Sequence, residues 1–332
     1  MATKIWTGGG SLSSPQSGVW ATKTNWSPVG IPAAGDDVVI NGAGSYTISL
    51  SANTASLNSL TISNTGATFA IGSFTLRVTG GAASAINLQS GQITISGGTI
   101  NDAGGIALAS GTSLSGAGTL KVSGGYAGAG SVQASGGTLD VFGTISSGVV
   151  LQIASASAST LKIEGTGIAA AAIAISSSNQ TLEIGPSGNL TINAAENVNN
   201  GRIQLDGGAL TDALGMVIGS AALLTGKGTV SAPLSGTGTV MASGGTLDLT
   251  GTVSSGLALK IDTTAHSDLK LDGAAATTSA IAISNSNQTL EIGSSRSIRR
   301  FRAAWVDVIT PPKTTPTPTT GTFSTIYRDC LR

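Results

Sequence analysis

The residues of this sequence that could do acid–base chemistry are mainly carboxylates, because His266 is the only histidine. Cleavage of a glycosidic bond needs two carboxylates at a defined separation, one of them with a raised pKa. Three pairs of acids occupy matching positions in two similar segments: Asp140 and Asp248, Glu164 and Asp272, and Glu183 and Glu291. An active site arises once, whereas structural positions recur. We therefore interpret these acids as outward-facing strand residues and predict no catalytic residue, with a polysaccharide-active lyase or hydrolase as the alternative.

Nucleophilic and metal chemistry have few candidates. A Ser-His-Asp relay would need His266 as its base, but His266 lies in the polar stretch DTTAHSDLK, which predicts a loop residue. One histidine and the single, distant Cys330 cannot form a metal cluster. Asp36 and Asp37 could bind calcium, but neighbouring side chains on a strand point to opposite faces, so we predict a turn there. We predict neither a metal nor a cofactor.

Three of the four tryptophans lie within 21 positions near the N-terminus, at Trp6, Trp20 and Trp26. Exposed tryptophan rings stack well on sugars, so these three residues are candidate carbohydrate-binding residues. The preferred interpretation is different: a solenoid exposes its first coil as an open edge unless it is capped. Bulky aromatic residues in the range 1–45 suit such a cap.

Composition excludes several classes of protein. The chain has 332 residues, a formal net charge of zero and only 10% charged residues, so it offers no basic surface for nucleic acid. Its longest apolar run, IAAAAIAI at 168–175, is much shorter than the ~20 residues of a membrane span. The N-terminus lacks a basic region followed by an apolar one, so we predict no classical secretory signal.

Internal repetition is the strongest signal in the sequence. Residues 131–187 align without a gap on 239–295, at an offset of 108, with 33 of 57 positions identical. Residues 91–105 match 201–215 at an offset of 110. The unit is therefore about 110 residues long. We place its copies at the following ranges: about 59–170, 171–279, and a truncated third at 280–295.

Short stretches within each unit alternate apolar and polar residues, as in TLDVFG, TLKIEG and TLEIG, and glycine or serine separates them. This pattern is typical of half-buried strands between turns. A β-sandwich is the alternative, but it usually has aromatic core residues, and only 4% of this chain is aromatic. Scarce aromatics, frequent glycine and a gapless repeat favour a parallel β-helix over residues 46–295.

The stretch GVWATKTNWSPVGIPAAGDDVVI, followed by glycine-rich strands with SGGTL turns, resembles bacterial haemagglutinin-like and autotransporter-type surface adhesins. The resemblance implies a right-handed parallel β-helix and an exported protein at or outside the cell surface. It further implies a non-enzymatic, adhesive role through multivalent contact with carbohydrate, a host or neighbouring cell surface, or copies of itself. Because an N-terminal signal and a C-terminal barrel are missing from the pattern, type I-like export is an alternative. An ice-binding array is a third option, although no strict TxT ladder is present.

Residues 296–332 do not continue the repeat. They contain six of the eight arginines, four of the nine prolines and the only cysteine. The segment RSIRRFRAAWVDVI could form a basic amphipathic helix, for a membrane surface or as a cap. The hypothesis we favour is a tail read in a shifted frame, or disordered. Translation of the other reading frames of the gene tests this hypothesis.

Overall fold

A computed structural model describes residues 1–82 and 84–293, and the backbone of 303–305. The described chain is all-β, with parallel strands wound into a solenoid of about 12 turns, and its one short helix is the 3-10 turn Lys23–Asn25. The predicted parallel β-helix is therefore confirmed. At ~4.8 Å per turn, 12 turns make a rod roughly 60 Å long.

The strands are numbered β1 to β27 in chain order. Their bounds are Thr3–Trp6, Gly18–Val19, Trp26–Ser27, Asp37–Ile40, Tyr46–Ser49, Ser56–Leu57, Ser59–Ala70, Thr75–Val78, Ile86–Asp102, Ile106–Leu108, Ser113–Val122, Tyr126–Gly128, Ser131–Phe142, Val150–Ile153, Ser159–Ile163, Thr166–Ala169, Gln180–Ile184, Asn189–Ile192, Glu196–Asp212, Met216–Ser231, Leu234–Gly236, Thr239–Leu249, Ala258–Ile261, Ser267–Leu271, Ile281–Ile283, Gln288–Ile292 and Ala303–Trp305. The longest strands bend around corners of the coil, so one strand contributes to more than one face.

Each turn of the chain passes through three columns of stacked strands, here called A, B and C. Column A contains Leu60, Ile86, Ile106, Tyr126, Ile145, Gly167, Leu190, Leu210, Val230, Leu249, Leu271 and Ile292. Column B contains Phe69, Ile93, Leu114, Val132 and Leu151, then Glu196, Met216, Leu234, Val253 and Ala275. Column C contains Leu76, Ile100, Leu120, Val141, Ile163, Ile184, Leu205, Gly226, Ala242 and Ile261. Most of these side chains are fully buried and form one continuous core.

The sequence repeat does not contain a whole number of coil turns. Residues 85–187 correspond to residues 195–295 at offsets of 110 and then 108. These two segments, rather than the ranges 59–170 and 171–279, are called copy 1 and copy 2. Column A reaches Leu190 five turns after Ile86. The counterpart of Ile86 at the offset of 110 is Glu196, six residues beyond Leu190 and already in column B. One repeat therefore winds through five and one third turns.

The same displacement by one column holds throughout the repeat. Val132 lies in column B and its counterpart Val240 in column C. Val141 lies in column C and its counterpart Leu249 in column A. Equivalent residues of the two copies therefore face different sides of the rod. They are separated by one third of a turn and by about 26 Å along the axis.

Buried polar braces explain why SNQTLEIG is repeated. In copy 1 the Gln180 side chain is 2% exposed. Its Oε1 accepts hydrogen bonds from the backbone N of Ser176 and Ser177 at 2.8 and 2.9 Å. Its Nε2 donates to the carbonyls of Ile153 and Ala174 at 2.6 and 2.9 Å. The amide thus ties its own turn to the preceding turn.

Copy 2 repeats this brace through Gln288, whose Nε2 donates to the Ile261 carbonyl at 2.6 Å. A second brace fixes the SGG turn: the Ser159 hydroxyl accepts from Gly136 N at 3.0 Å, and that of Ser267 accepts from Gly244 N at 3.1 Å. Repeated polar residues of this kind satisfy backbone groups at the corners.

The tryptophans of the N-terminal segment pack over the first coils. Strand β1 pairs in parallel with β4 and antiparallel with β3. Trp26 lies edge-on to Trp6 and Trp20, with ring centroids 5.0 and 4.6 Å apart, and Trp20 contacts Phe69 of column B at 5.3 Å. This packing buries the three indole rings, and the role of the segment as a cap stays a prediction.

The alanine-rich run 168–175 contains a corner between strands, and the proposed amphipathic helix contains a short strand. In the alanine-rich run, β16 ends at Ala169 and Ile175 bridges to Val198 in the next turn. Strand β27, which lies within the proposed amphipathic helix, pairs in parallel with β25. A sheet edge offers unpaired backbone groups that a further strand can satisfy, and this explains the strand at 303–305. The rest of 296–332, including Cys330, lies outside the described residues.

Candidate functional site

The acids considered for catalysis in copy 1 lie in a charged ladder on column C. Asp140, Lys162 and Glu183 stand side by side in consecutive turns. Lys162 Nζ lies 2.9 Å from Glu164 and 3.2 Å from Glu183, and these carboxylates raise the pKa of Lys162. Partial burial raises the pKa of Asp140, opposed by the nearby Lys162. The ladder holds its own charges in mutual contact.

Copy 2 has the equivalent ladder on column A. Lys270 stands between Asp248 and Glu291 in the register, and its Nζ lies 3.3 Å from Asp248 and 2.7 Å from Asp272. The two ladders share one ion pair, that of Lys162 with Glu164 and of Lys270 with Asp272, but the second partner is Glu183 in copy 1 and Asp248 in copy 2. They also face different sides of the rod. Their duplication was visible in the sequence, whereas their different orientation was not.

The carboxyl groups with the most strongly raised pKa values lie inside the coil. Glu196 is 1% exposed, and burial, together with the charge of Asp212, raises its pKa to about 7. Burial raises the pKa of Asp102 to about 6. Glu196 Oε2 accepts from Ile173 N at 2.7 Å. Within the described chain, one oxygen of each of Glu196, Asp212 and Asp102 has no hydrogen-bond partner.

Sequence reasoning missed these interior acids. The signal that could have found them is the comparison of copies: Glu196 stands where copy 1 has Ile86, a core position, and Asp212 is the counterpart of Asp102. Their burial keeps them from contact with any polymeric substrate at the surface, so they cannot act as its general acid in this conformation.

A groove of about 300 Å³ opens on column C in copy 2. Its main lining residues are Arg202, Gln204, Asp206, Thr225, Lys227 and Met241. Lys227 Nζ lies 3.2 Å from Asp206 Oδ1, and both side chains are nearly half exposed, at 43% and 46%. Arg202 Nη1 is 3.4 Å from Gln204 Oε1. The groove thus combines two cations, one carboxylate and several neutral polar groups.

Side-chain length creates this groove. Gln204, Thr225 and Met241 are neighbours in three consecutive turns, and the short threonine lies between two long side chains. The floor beside it stays bare because Gly226 has a φ of +112°, and a side chain there would collide with the Leu205 carbonyl. A notch across three turns results.

Copy 1 lacks the charges of this groove. Arg202, Asp206 and Lys227 correspond to Gln92, Ser96 and Ala117 at the offset of 110. In the register, Asp206 pairs with Lys227 as Ser96 pairs with Ala117. The backbone arrangement is therefore shared, and the charged groove belongs to one copy only.

The three tryptophans proposed to bind carbohydrate are buried, at 0% exposure for Trp6, 3% for Trp20 and 1% for Trp26. The indole Nε1 groups of Trp6 and Trp26 donate to the Gln16 and Trp20 carbonyls at 3.0 and 2.8 Å. Stacking on a sugar needs an exposed ring face, so this geometry does not support the carbohydrate-binding prediction at these residues.

The remaining candidates take structural positions. Asp36 accepts from Ala2 N at 2.8 Å and from Ala33 N at 3.0 Å, and these backbone donors lower its pKa. Asp37 accepts from the Asn58 amide at 2.7 Å. His266 is exposed in a turn between β23 and β24. Within residues 1–82 and 84–293, no three His, Cys, Asp or Glu side chains are placed to hold a metal ion.

In the part of the chain that the structure describes, no helix has the length and hydropathy to cross a membrane. No protein-family model, curated protein sequence or solved structure matches the chain. The resemblance to bacterial surface adhesins therefore stays a prediction from the sequence. It is the basis for the location proposed below, whereas the geometry is the basis for the proposed contact function.

Proposed function

We propose that this chain is a non-enzymatic, rod-shaped contact segment of an exported bacterial protein, acting at or outside the cell surface. The observation that carries this proposal is the continuous stack of about 12 turns that presents rows of side chains along three columns. Such a rod is stiff because each turn is hydrogen-bonded to the next. A stiff rod can hold a contact surface away from the body that carries it.

The distribution of the carboxylates supports contact over catalysis. A general acid needs both a raised pKa and access to the substrate. Glu196 and Asp102 have raised pKa values but are 1% and 0% exposed. The surface acids Glu164, Glu183 and Asp272 instead contact lysines.

The displacement of equivalent residues between columns sharpens the adhesive proposal. The charged ladder of copy 1 faces outward from column C and that of copy 2 from column A. A flat partner cannot contact both ladders at once. We therefore expect contacts distributed around the rod, as in a network of neighbouring molecules or of copies of this chain, rather than avidity along one face.

Blocking one column at a time tests this proposal. Cys330→Ser in the full chain removes the native thiol. A single cysteine is then introduced by Ser131→Cys on column B, Lys162→Cys on column C or Thr191→Cys on column A, and a polyethylene glycol group is attached to it. Adhesion to polysaccharide-coated and cell surfaces, and self-association, are then measured. We expect partial losses from more than one column. Equal adhesion of all three conjugates and of an unrelated neutral protein would contradict a contact function.

One observation favours a second candidate, the polysaccharide-active enzyme. The charged groove occurs in copy 2 alone, as a catalytic site would. Release of reducing ends or of unsaturated products from a panel of polysaccharides tests it. Asp206→Ser, which installs the copy 1 residue, should abolish such an activity, whereas Asp140→Asn should preserve it if the groove is the active site.

Cell fractionation tests the proposed location. The protein should be found in the medium or be accessible to protease on intact cells. Recovery only from the protease-protected fraction would contradict export.

A further inference from the structure

The groove on column C of copy 2 points to a ligand class. We propose that it binds one carboxylate-bearing sugar, a uronic acid residue of an acidic polysaccharide. The proposed binding of a uronic acid names a partner for one surface of the contact segment. Only the biological use of the binding rests on the proposed contact function. The groove's volume of about 300 Å³ is at the lower end of small-molecule sites, which suits a single sugar residue.

Arg202 supplies the group that selects a carboxylate. Its side chain is exposed at the groove, and its one hydrogen bond within the described residues is the long contact with Gln204 at 3.4 Å. It makes none of the ion pairs found in the described chain, all of which use lysine. A guanidinium binds a carboxylate through two parallel hydrogen bonds, so its geometry selects this ligand group.

The pair of Asp206 and Lys227 supplies partners for hydroxyl groups. Each side chain is close to half exposed while they contact each other at 3.2 Å. Donors and acceptors held in place in this way can hydrogen-bond sugar hydroxyls with little further loss of side-chain entropy. Leu223 and Met241 border the same groove and offer apolar contact to the C–H face of a sugar ring.

Recognition depends on placement rather than on net charge. Asp262 lies at the rim, where its Oδ2 accepts from the Ser243 hydroxyl at 2.7 Å. Arg202 and Lys227 balance Asp206 and Asp262, and Lys260 beside Met241 balances Glu183 beside Gln204, so these charges sum to zero around the groove. Long-range attraction of anions is weak in that case, and binding should depend on the orientation of Arg202.

Copy 1 provides tolerated substitutions for a test. Arg202→Gln and Lys227→Ala install the residues that copy 1 carries at Gln92 and Ala117 on the same backbone register. Lys121→Ser is the matched control, because Lys121 is an exposed cation of copy 1 whose counterpart is Ser231. All three variants should keep the circular dichroism and melting temperature of the wild-type chain.

Binding is measured on the full chain by calorimetry and by NMR titration with a uronic acid trisaccharide, a neutral glucose trisaccharide and citrate. We expect saturable binding of the uronic acid trisaccharide at millimolar concentration or below. Arg202→Gln should weaken it by roughly tenfold or more, which corresponds to about 1.4 kcal/mol. Lys227→Ala should weaken it less, and Lys121→Ser should leave it unchanged.

Each other outcome overturns the proposal in a distinct way. Unchanged binding by Arg202→Gln places the ligand elsewhere. Equal binding of the neutral trisaccharide removes the role of the carboxylate. Equal binding of citrate reduces the site to general anion attraction, and absent saturation removes the site. None of these results bears on the contact function, since the conjugates on three columns test that function without this ligand.

Discussion

Copies 1 and 2 have nearly the same interior framework and quite different surfaces. Gln180 and Gln288 make the same brace between turns, and Ser159 and Ser267 fix the same glycine turn. Yet copy 2 carries the charged groove, which copy 1 lacks. The repeated residues therefore maintain the coil, whereas the charged groove is formed by residues that differ between the copies.

The comparison also shows that repetition in this sequence does not mean repetition of a face. Because one repeat contains five and one third turns, the shared ladders face columns C and A. Three pairs of substitutions separate what the copies share from what they do not, and the expected effects of the pairs decrease in the order given below.

The largest effect is expected for Gln180→Ala. The change removes a side chain that satisfies two backbone N–H groups and two carbonyls at 2% exposure. Buried groups left unpaired cost about 1–3 kcal/mol each, so the loss should reach roughly 3 kcal/mol or more. Denaturant unfolding and hydrogen exchange in the turns of Ile153 and Ala174 measure it.

Gln288→Ala is the matched change in copy 2. Its Oε1 accepts one short and one long backbone hydrogen bond, at 2.7 and 3.3 Å, so we expect a smaller loss. If Gln288→Ala lowered the free energy of unfolding more than Gln180→Ala, the ranking of the two braces by the length of their hydrogen bonds would be wrong.

An intermediate effect that depends on pH is expected at Glu196. Its folded-state pKa of about 7 lies above the reference value of 4.5, so the folded chain holds the proton more tightly than the unfolded chain. The stabilising contribution is full below about pH 4.5 and is lost as the pH rises through about 7. The whole change is at most about 3 kcal/mol.

Glu196→Ile makes copy 2 resemble copy 1, which has Ile86 at this position. The variant should lose this pH dependence and gain stability at pH 8, as read from denaturant midpoints at several pH values. The charge that faces Glu196 comes from Asp212, so Asp212→Asn should lower the apparent pKa of Glu196. A variant Glu196→Ile with the wild-type pH profile would assign the dependence to other groups.

The smallest effect is expected for the ladders. Lys162 contacts carboxylates that are 12% and 18% exposed, whereas the partners of Lys270 are 21% and 35% exposed. Partly exposed ion pairs contribute little, so Lys162→Met should cost about 0.5 kcal/mol. Lys270→Met should cost less, and both losses should shrink at high salt, as melting curves at two ionic strengths can show. A greater cost for Lys270→Met would contradict the ranking by exposure.

Much of the fold could be predicted from the sequence, because alternation and repetition act locally. Stretches such as TLKIEG at 160–165 alternate by residue, and the glycines mark the corners. The rotation between copies could not be predicted, since it depends on the number of strand segments in each repeat, and corners in alanine-rich runs such as 168–175 have no sharp signal.

The candidate site was less accessible to sequence reasoning. The notch at Thr225 depends on which residues of other turns stand beside it, Gln204 and Met241, and register between turns is not visible in one sequence. The burial of Trp20 likewise follows from its contact with Phe69, nearly 50 residues away. Such contacts are set by winding and not by local pattern.

The fractional winding has a consequence for any chain that continues this repeat. Three repeats make sixteen whole turns, so a given residue returns to its original side only after about 77 Å. The two intervening copies would present the same residue on the other two sides, each rotated by one third of a turn from the copy before it. Such a filament has threefold screw symmetry in its surface chemistry, and neighbours approaching from any direction meet the same groups at the same long spacing.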